Sequence, residues 1–98
     1  LFINQSEEVV VVNSKELRQF FKGHLVPSRL YDLRKNHKGR ICMEKSASGW
    51  SVYFSDKKQK VGVLHYKDEA SACAAMKNEV RKLMEGLYGV TWSATPVA

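Results

Sequence analysis

Between Arg40 and Tyr66 three strand-like segments follow one another with only short polar turns between them, and this spacing constrains the fold more than any other feature of the chain. The segments run from Arg40 to Lys45, Trp50 to Ser55 and Val61 to Tyr66, separated by SASG at 46–49 and DKKQK at 56–60. Parallel neighbours need a crossover of about a dozen residues or more, so connections this short predict an antiparallel meander. On the middle strand Trp50, Val52 and Phe54 alternate with Ser51, Tyr53 and Ser55. Period two sends the first set to a buried face and the second to a wet one. Ile41 and Met43 join the buried set, which leaves Arg40, Cys42 and Glu44 opposite. The third strand stays undecided, because Val61, Val63, Leu64 and Tyr66 fall on both faces of a regular pleat.

Two helices flank this meander. Asn13 or Ser14 can cap a helix over about Lys15 to Phe21, with Leu17, Phe20 and Phe21 on one side and Gly23 at its end. Asp68 can cap a second, in which Cys73, Met76, Val80, Leu83, Met84 and Leu87 form an apolar stripe and Gly86 or Gly89 terminates it. Before the first helix, Val9 to Val12 is a β-branched run that could add a short strand. Between Pro27 and Leu33 a short helical turn or ordered loop would bury Leu30 and Leu33, and RKNHKG at 34–39 reads as an exposed loop. With 98 residues there is room for one domain over 1–98, with residues 1–8 as a leader and 90–98 as a tail that adds an edge strand, docks Trp92 or hangs loose. The expectation is an α+β domain: a three- to four-stranded antiparallel sheet packed on one face against two helices.

The net charge of +6 is unevenly placed. Residues 15–60 carry twelve bases against four acids, residues 1–14 carry two acids and no base, and residues 61–98 hold four of each. Such a field attracts an anionic partner, whether nucleic acid, an acidic protein face or a phosphate-bearing lipid, or it is simply a solvated basic surface. No apolar run approaches the roughly 18 residues of a membrane span. No signal peptide is visible, and the expected location is the cytoplasm. Cys42 and Cys73 stand far apart in sequence without the paired spacing of a zinc site, and read as reduced, packed thiols.

Little points to catalysis. His24, His37 and His65 fall at a helix end, in a loop and on a strand, and nothing in their spacing brings them together with Lys60. The glycines are scattered at element ends, with no phosphate-cradling loop. No catalytic residue, metal site or cofactor is expected. A nucleic-acid reading has more support: Tyr53 on the wet face, with Tyr66 and the lysines at 57, 58 and 60 beside it, could stack and hold a single strand.

The order of residues also resembles a family. Arg40-Ile41-Cys42-Met43-Glu44-Lys45, then Trp50-Ser51-Val52-Tyr53-Phe54, then Asp68-Glu69-Ala70-Ser71-Ala72-Cys73 opening a helix, with Leu30-Tyr31-Asp32-Leu33 ahead of the meander, is similar to small immunity proteins of bacterial contact-dependent growth inhibition and other polymorphic toxin systems. The likeness covers about residues 15–85. It implies a non-enzymatic protein that binds the C-terminal toxin domain of a cognate toxin protein and blocks its active site or its access to substrate. Lys57-Lys58-Gln59-Lys60 departs from the acidic, Gly-containing turn of that pattern and the overall charge is basic, so either the toxin surface met here is acidic or the few acids, Glu7, Glu8, Glu44 and Asp56, are clustered locally.

The resemblance carries no contact residues. A tight inhibitor needs roughly 800 Å² per partner and a few desolvated anchors, typically Tyr, Trp or Arg. The surface best supplied with them is the wet sheet face and its turns: Arg40, Glu44, Tyr53, Asp56, Lys57, Lys58, Lys60 and His65. Arg34, Lys35, His37 and Lys38 form a second patch in the loop. The leading expectation is a toxin-binding immunity protein, and the alternative is a small basic nucleic-acid-binding domain.

Overall fold

The structure, a computed structural model, describes residues 10–57 and 59–92. The leader at 1–8, Val9, Lys58 and the tail beyond Trp92 lie outside the described residues. The fold is α+β, a four-stranded sheet with two helices. Helix α1 spans Ser14–Gly23, a 3-10 turn spans Ser28–Leu30, and β1 is the two-residue strand Tyr31–Asp32. Strands β2 (Ile41–Ser46), β3 (Gly49–Asp56) and β4 (Gln59–Tyr66) follow, then helix α2 (Glu69–Tyr88). The sheet order is β1-β2-β3-β4.

The meander forms with tighter turns than the sequence suggests. Ser46 pairs with Gly49 and Asp56 with Gln59, so each strand runs further into its turn. Gly49 has φ +139, and a side chain there would run into the carbonyl oxygen of Tyr66. Among the described residues the run before α1 is not a strand; Val11 instead tucks into the core.

One pair of strands is parallel, not antiparallel. Tyr31 and Asp32 lie beside Ile41 and Cys42 in parallel register. Residues 33–40 make the crossover without a helix, which is possible because β1 is so short. The helical turn expected between Pro27 and Leu33 is present as the 3-10 turn, and β1 follows it directly.

Helix α1 starts one residue earlier and ends two later than its apolar pattern. Asn13 caps it by accepting the Glu16 N–H at 2.9 Å, and Glu16 Oε1 reaches back to the Val12 N–H at 3.1 Å. Gly23 is not the left-handed residue; Leu25 is, at φ 57. The Leu25 N–H bonds the Lys22 carbonyl and the Val26 N–H bonds the Phe21 carbonyl, the paired pattern that closes a helix through a left-handed residue. Asp68 caps α2 through the Ser71 N–H at 2.8 Å, and Gly89 ends it. Glu69 Oε2 takes the Ser14 N–H at 2.9 Å, tying the starts of the two helices together.

The core joins Leu17, Phe20 and Phe21 of α1, Ile41, Met43 and Val52 of the sheet, and Ala72, Cys73, Met76, Val80 and Met84 of α2. Helix α2 lies against β2, β3 and β4 and touches α1. Phe21 meets Tyr31 at 4.5 Å between ring centroids. Trp92 docks on α1, edge-on to Phe20 at 5.2 Å.

Candidate binding surfaces

The second face of the sheet is not wet where the alternation of β3 places water. Tyr53 is 1% exposed and Ser55 is fully buried, while Phe54, expected in the core, is 39% exposed. The cause is the 33–40 crossover, which folds over this face. Asp32 Oδ1 accepts the N–H groups of Arg34 and Lys35 at 2.9 and 3.0 Å, which turns the chain back. The loop is then fastened to the sheet. Ser55 Oγ donates to Asn36 Oδ1 at 2.5 Å, the Gly39 N–H bonds the Ser55 carbonyl at 2.8 Å, and the His37 N–H reaches Cys42 Sγ at 3.3 Å. Cys42 is thus sealed under the loop and Cys73 in the core; both are free thiols. Burial raises both thiol pKa values, that of Cys73 to about 11.

Three of the residues expected to bind a partner converge at the rim of this cover. Glu44 Oε1 accepts from the Tyr53 hydroxyl at 3.0 Å and from Lys60 Nζ at 3.1 Å, and Lys60 Nζ sits 4.9 Å from the centre of the Tyr53 ring. The bond from Lys60 holds the Glu44 carboxyl below the ordinary glutamate range, against the opposing effect of burial and with help from Tyr53. Burial, then the Glu44 carboxylate, raises the Tyr53 phenol. Tyr53 is therefore a structural post under the loop and not a surface anchor.

The remaining candidates spread outward. His65 is exposed on β4, and its Nδ1 lies 3.0 Å from Ser51 Oγ. Asp56 and Lys57 are exposed at the β3–β4 turn, with Lys57 at φ 56, and Lys58 lies outside the described residues. Arg40 stands apart, donating through Nη1 to the Ser28 and Tyr31 carbonyls at 3.1 and 3.4 Å.

A β-bulge settles the faces of β4. Val52 pairs with Leu64 but Phe54 with Val61, so β4 carries one extra residue opposite Tyr53. Gly62, at φ +65, supplies the left-handed backbone that such a bulge uses. Lys60 and His65, an odd number of residues apart, end on the same side, paired with Ser55 and Ser51. Phe54, Val61, Val63 and Leu64 remain 38–46% exposed. Among the described residues β4 is hydrogen-bonded on one side only.

A second feature went unread in the sequence. Arg18 and Lys22, one turn apart on α1, face Arg34 and Arg40 across an open cleft of about 250 Å³ whose wall includes Tyr31 and Asp32. In sequence, helix cations look like a solvated face; the i, i+4 spacing that puts Arg18 and Lys22 together was the available signal.

Among the described residues no group of three His, Cys, Asp or Glu side chains is placed to hold a metal ion, and no helix is long and apolar enough to cross a membrane. The sequence matches no protein-family model, no curated protein and no solved structure.

Proposed function

We propose that this chain is an immunity protein that binds the C-terminal domain of a cognate toxin in the cytoplasm and neutralises it by occlusion, without chemistry of its own. The observation that carries the reading is the exposed apolar patch of Phe54, Val61 and Leu64 on one face of the outer strands, with Val63 exposed on the other face of the same open edge, the side of Lys60. A contiguous apolar patch rimmed by charge marks a protein-binding surface. An open strand can add main-chain hydrogen bonds to a partner's segment, and the lysines nearby favour an acidic one. The order of the R-I-C-M-E-K and W-S-V-Y-F segments supports the same reading. The nucleic-acid alternative drew on Tyr53 as a stacking surface, and Tyr53 is buried.

The test begins with affinity capture on the full chain from nuclease-treated lysate of the source organism, washed at low and high salt and read by mass spectrometry. The expected result is one protein held at one-to-one stoichiometry through high salt. Its C-terminal domain should arrest growth when expressed alone and not when co-expressed with this chain. The double variant Val63→Lys/Leu64→Lys should lose that protection. Recovery of nucleic acid alone from an untreated sample, lost at high salt, would overturn the proposal in favour of the alternative.

A further inference from the structure

The basic cleft at the foot of α1 is a different surface from the β4 strip, and its composition is specific. Arg18, Lys22, Arg34 and Arg40 line it with Asp32 as its carboxylate. That carboxylate is already committed to the loop: Oδ1 takes two backbone N–H groups and Oδ2 lies 3.3 Å from His37 Nδ1. Its hydrogen-bonding capacity is thus taken up within the loop, and its one negative charge against four cations leaves the lining with a net charge of +3. Arg40 is held in place through Nη1 on two backbone carbonyls, which leaves the rest of its guanidinium fork to donate elsewhere. Arg18 acts electrostatically on the Tyr31 hydroxyl, pulling its pKa down against the larger upward effect of burial.

Four cations converging on one concavity suit a single compact anion. Guanidinium forks match a carboxylate through two parallel hydrogen bonds. Nucleic acid calls for another arrangement, with cations spaced along a backbone track and exposed aromatic faces for the bases. Here the aromatic residue on the wall, Tyr31, is buried. We infer that this cleft receives an acidic side chain, a glutamate or aspartate, projecting from the protein that the chain binds. The inference rests on the protein-binding reading above and names the chemistry of one contact within it.

The experiment is an NMR titration of the full chain with a hexaglutamate peptide and, separately, with hexathymidylate. Hexaglutamate should shift the amides of Arg18, Lys22, Arg34 and Arg40 and of their neighbours in β1, and the shifts should saturate. The double variant Arg18→Gln/Arg34→Gln, checked by overlay of its spectrum on the wild type, should weaken that binding about tenfold or more, as for the loss of charge-assisted contacts. The single variant Lys22→Gln, at an exposed position, provides the same test should the double variant lose its fold. Shifts spread evenly over the lysines of the β3–β4 turn, or tighter binding of hexathymidylate at the cleft, would overturn the inference. The two readings fail separately. A toxin domain captured equally by wild type and cleft variants sinks the cleft and leaves the immunity role standing. Failure to capture any protein sinks that role, while the hexaglutamate titration still reports on the cleft.

Discussion

The hydroxyl of Tyr53 donates to Glu44 Oε1 at 3.0 Å from a position 1% exposed, so a residue that alternation places in water is a buried post carrying a surface carboxylate. Its two parts can be separated by mutation. Tyr53→Phe removes the hydroxyl, and Glu44 keeps its bond from Lys60; the expected loss is about 1–2 kcal/mol. Tyr53→Ala empties the space under the crossover loop and should cost about 3–5 kcal/mol, a large part of a small domain's stability. Urea denaturation of the two variants checks the order. Equal effects would show that the ring does not pack beneath the loop.

Leu25 closes α1 at φ 57 and the residue is 84% exposed, so the left-handed backbone is strained and the side chain contributes little packing. Leu25→Gly should relieve about 1 kcal/mol of that strain. In a domain of this size the melting temperature would rise by about 4–8 °C per kcal/mol. Calorimetry decides. A fall in melting temperature would mean that Leu25 makes a stabilising contact.

The parts legible in the sequence are those with a short connection, a period or a cap. The antiparallel order of β2, β3 and β4, the apolar stripe of α2 from Cys73 to Met84 and the Asp68 cap all appear in the structure, while Leu87 at the end of the stripe is exposed. What the sequence hides is held by non-periodic contacts. Residues 34–39 are polar enough to read as an exposed loop, yet Asn36, His37 and Gly39 fasten them to Ser55 and Cys42. That fastening reverses the expected exposure of Tyr53 and Ser55. Strand β1 has two residues, too few to show any alternation. The cleft draws on α1, on the crossover loop and on Arg40, which only the parallel register of β1 brings together. The faces of β4 were ambiguous for a definite reason: Gly62 shifts the phase of the strand midway.

Acid should destabilise the fold through two carboxyls. Glu44 is held below its ordinary 4.5, chiefly by Lys60. Burial tends to raise Asp32, but the Arg34 and Lys35 N–H groups and His37 together outweigh it and bring it below its ordinary 3.8. Both groups bind protons more readily in the unfolded chain than in the folded one. Their stabilisation is therefore complete above about pH 4.5 and lost as pH falls through the lower folded values. Denaturation midpoints measured between pH 7 and pH 3 should fall below pH 4.5. Glu44→Gln should show a shallower fall than the wild type. A slope unchanged in that variant would remove Glu44 from the account.

The bulge at Gly62 yields a prediction that separates backbone strain from register. No heavy atom lies within 4 Å of a side chain added at Gly62, so Gly62→Ala meets only the cost of φ +65, about 1–2 kcal/mol. Deleting Gly62 has a different consequence. Val52 stays opposite Leu64 and Phe54 opposite Val61, while Tyr53 gains Val63 as its partner in an unbroken ladder. Each flanking side chain keeps its face, and Lys60 stays within reach of Glu44. Deletion of a residue inside a strand ordinarily turns one flank over; here it should be tolerated, with cross-strand NOEs between Tyr53 and Val63 and an intact Glu44–Lys60 contact. Loss of the folded state in the deletion variant, with Gly62→Ala still folded, would show that the bulge is needed for the curvature of β4 and not merely accommodated by it.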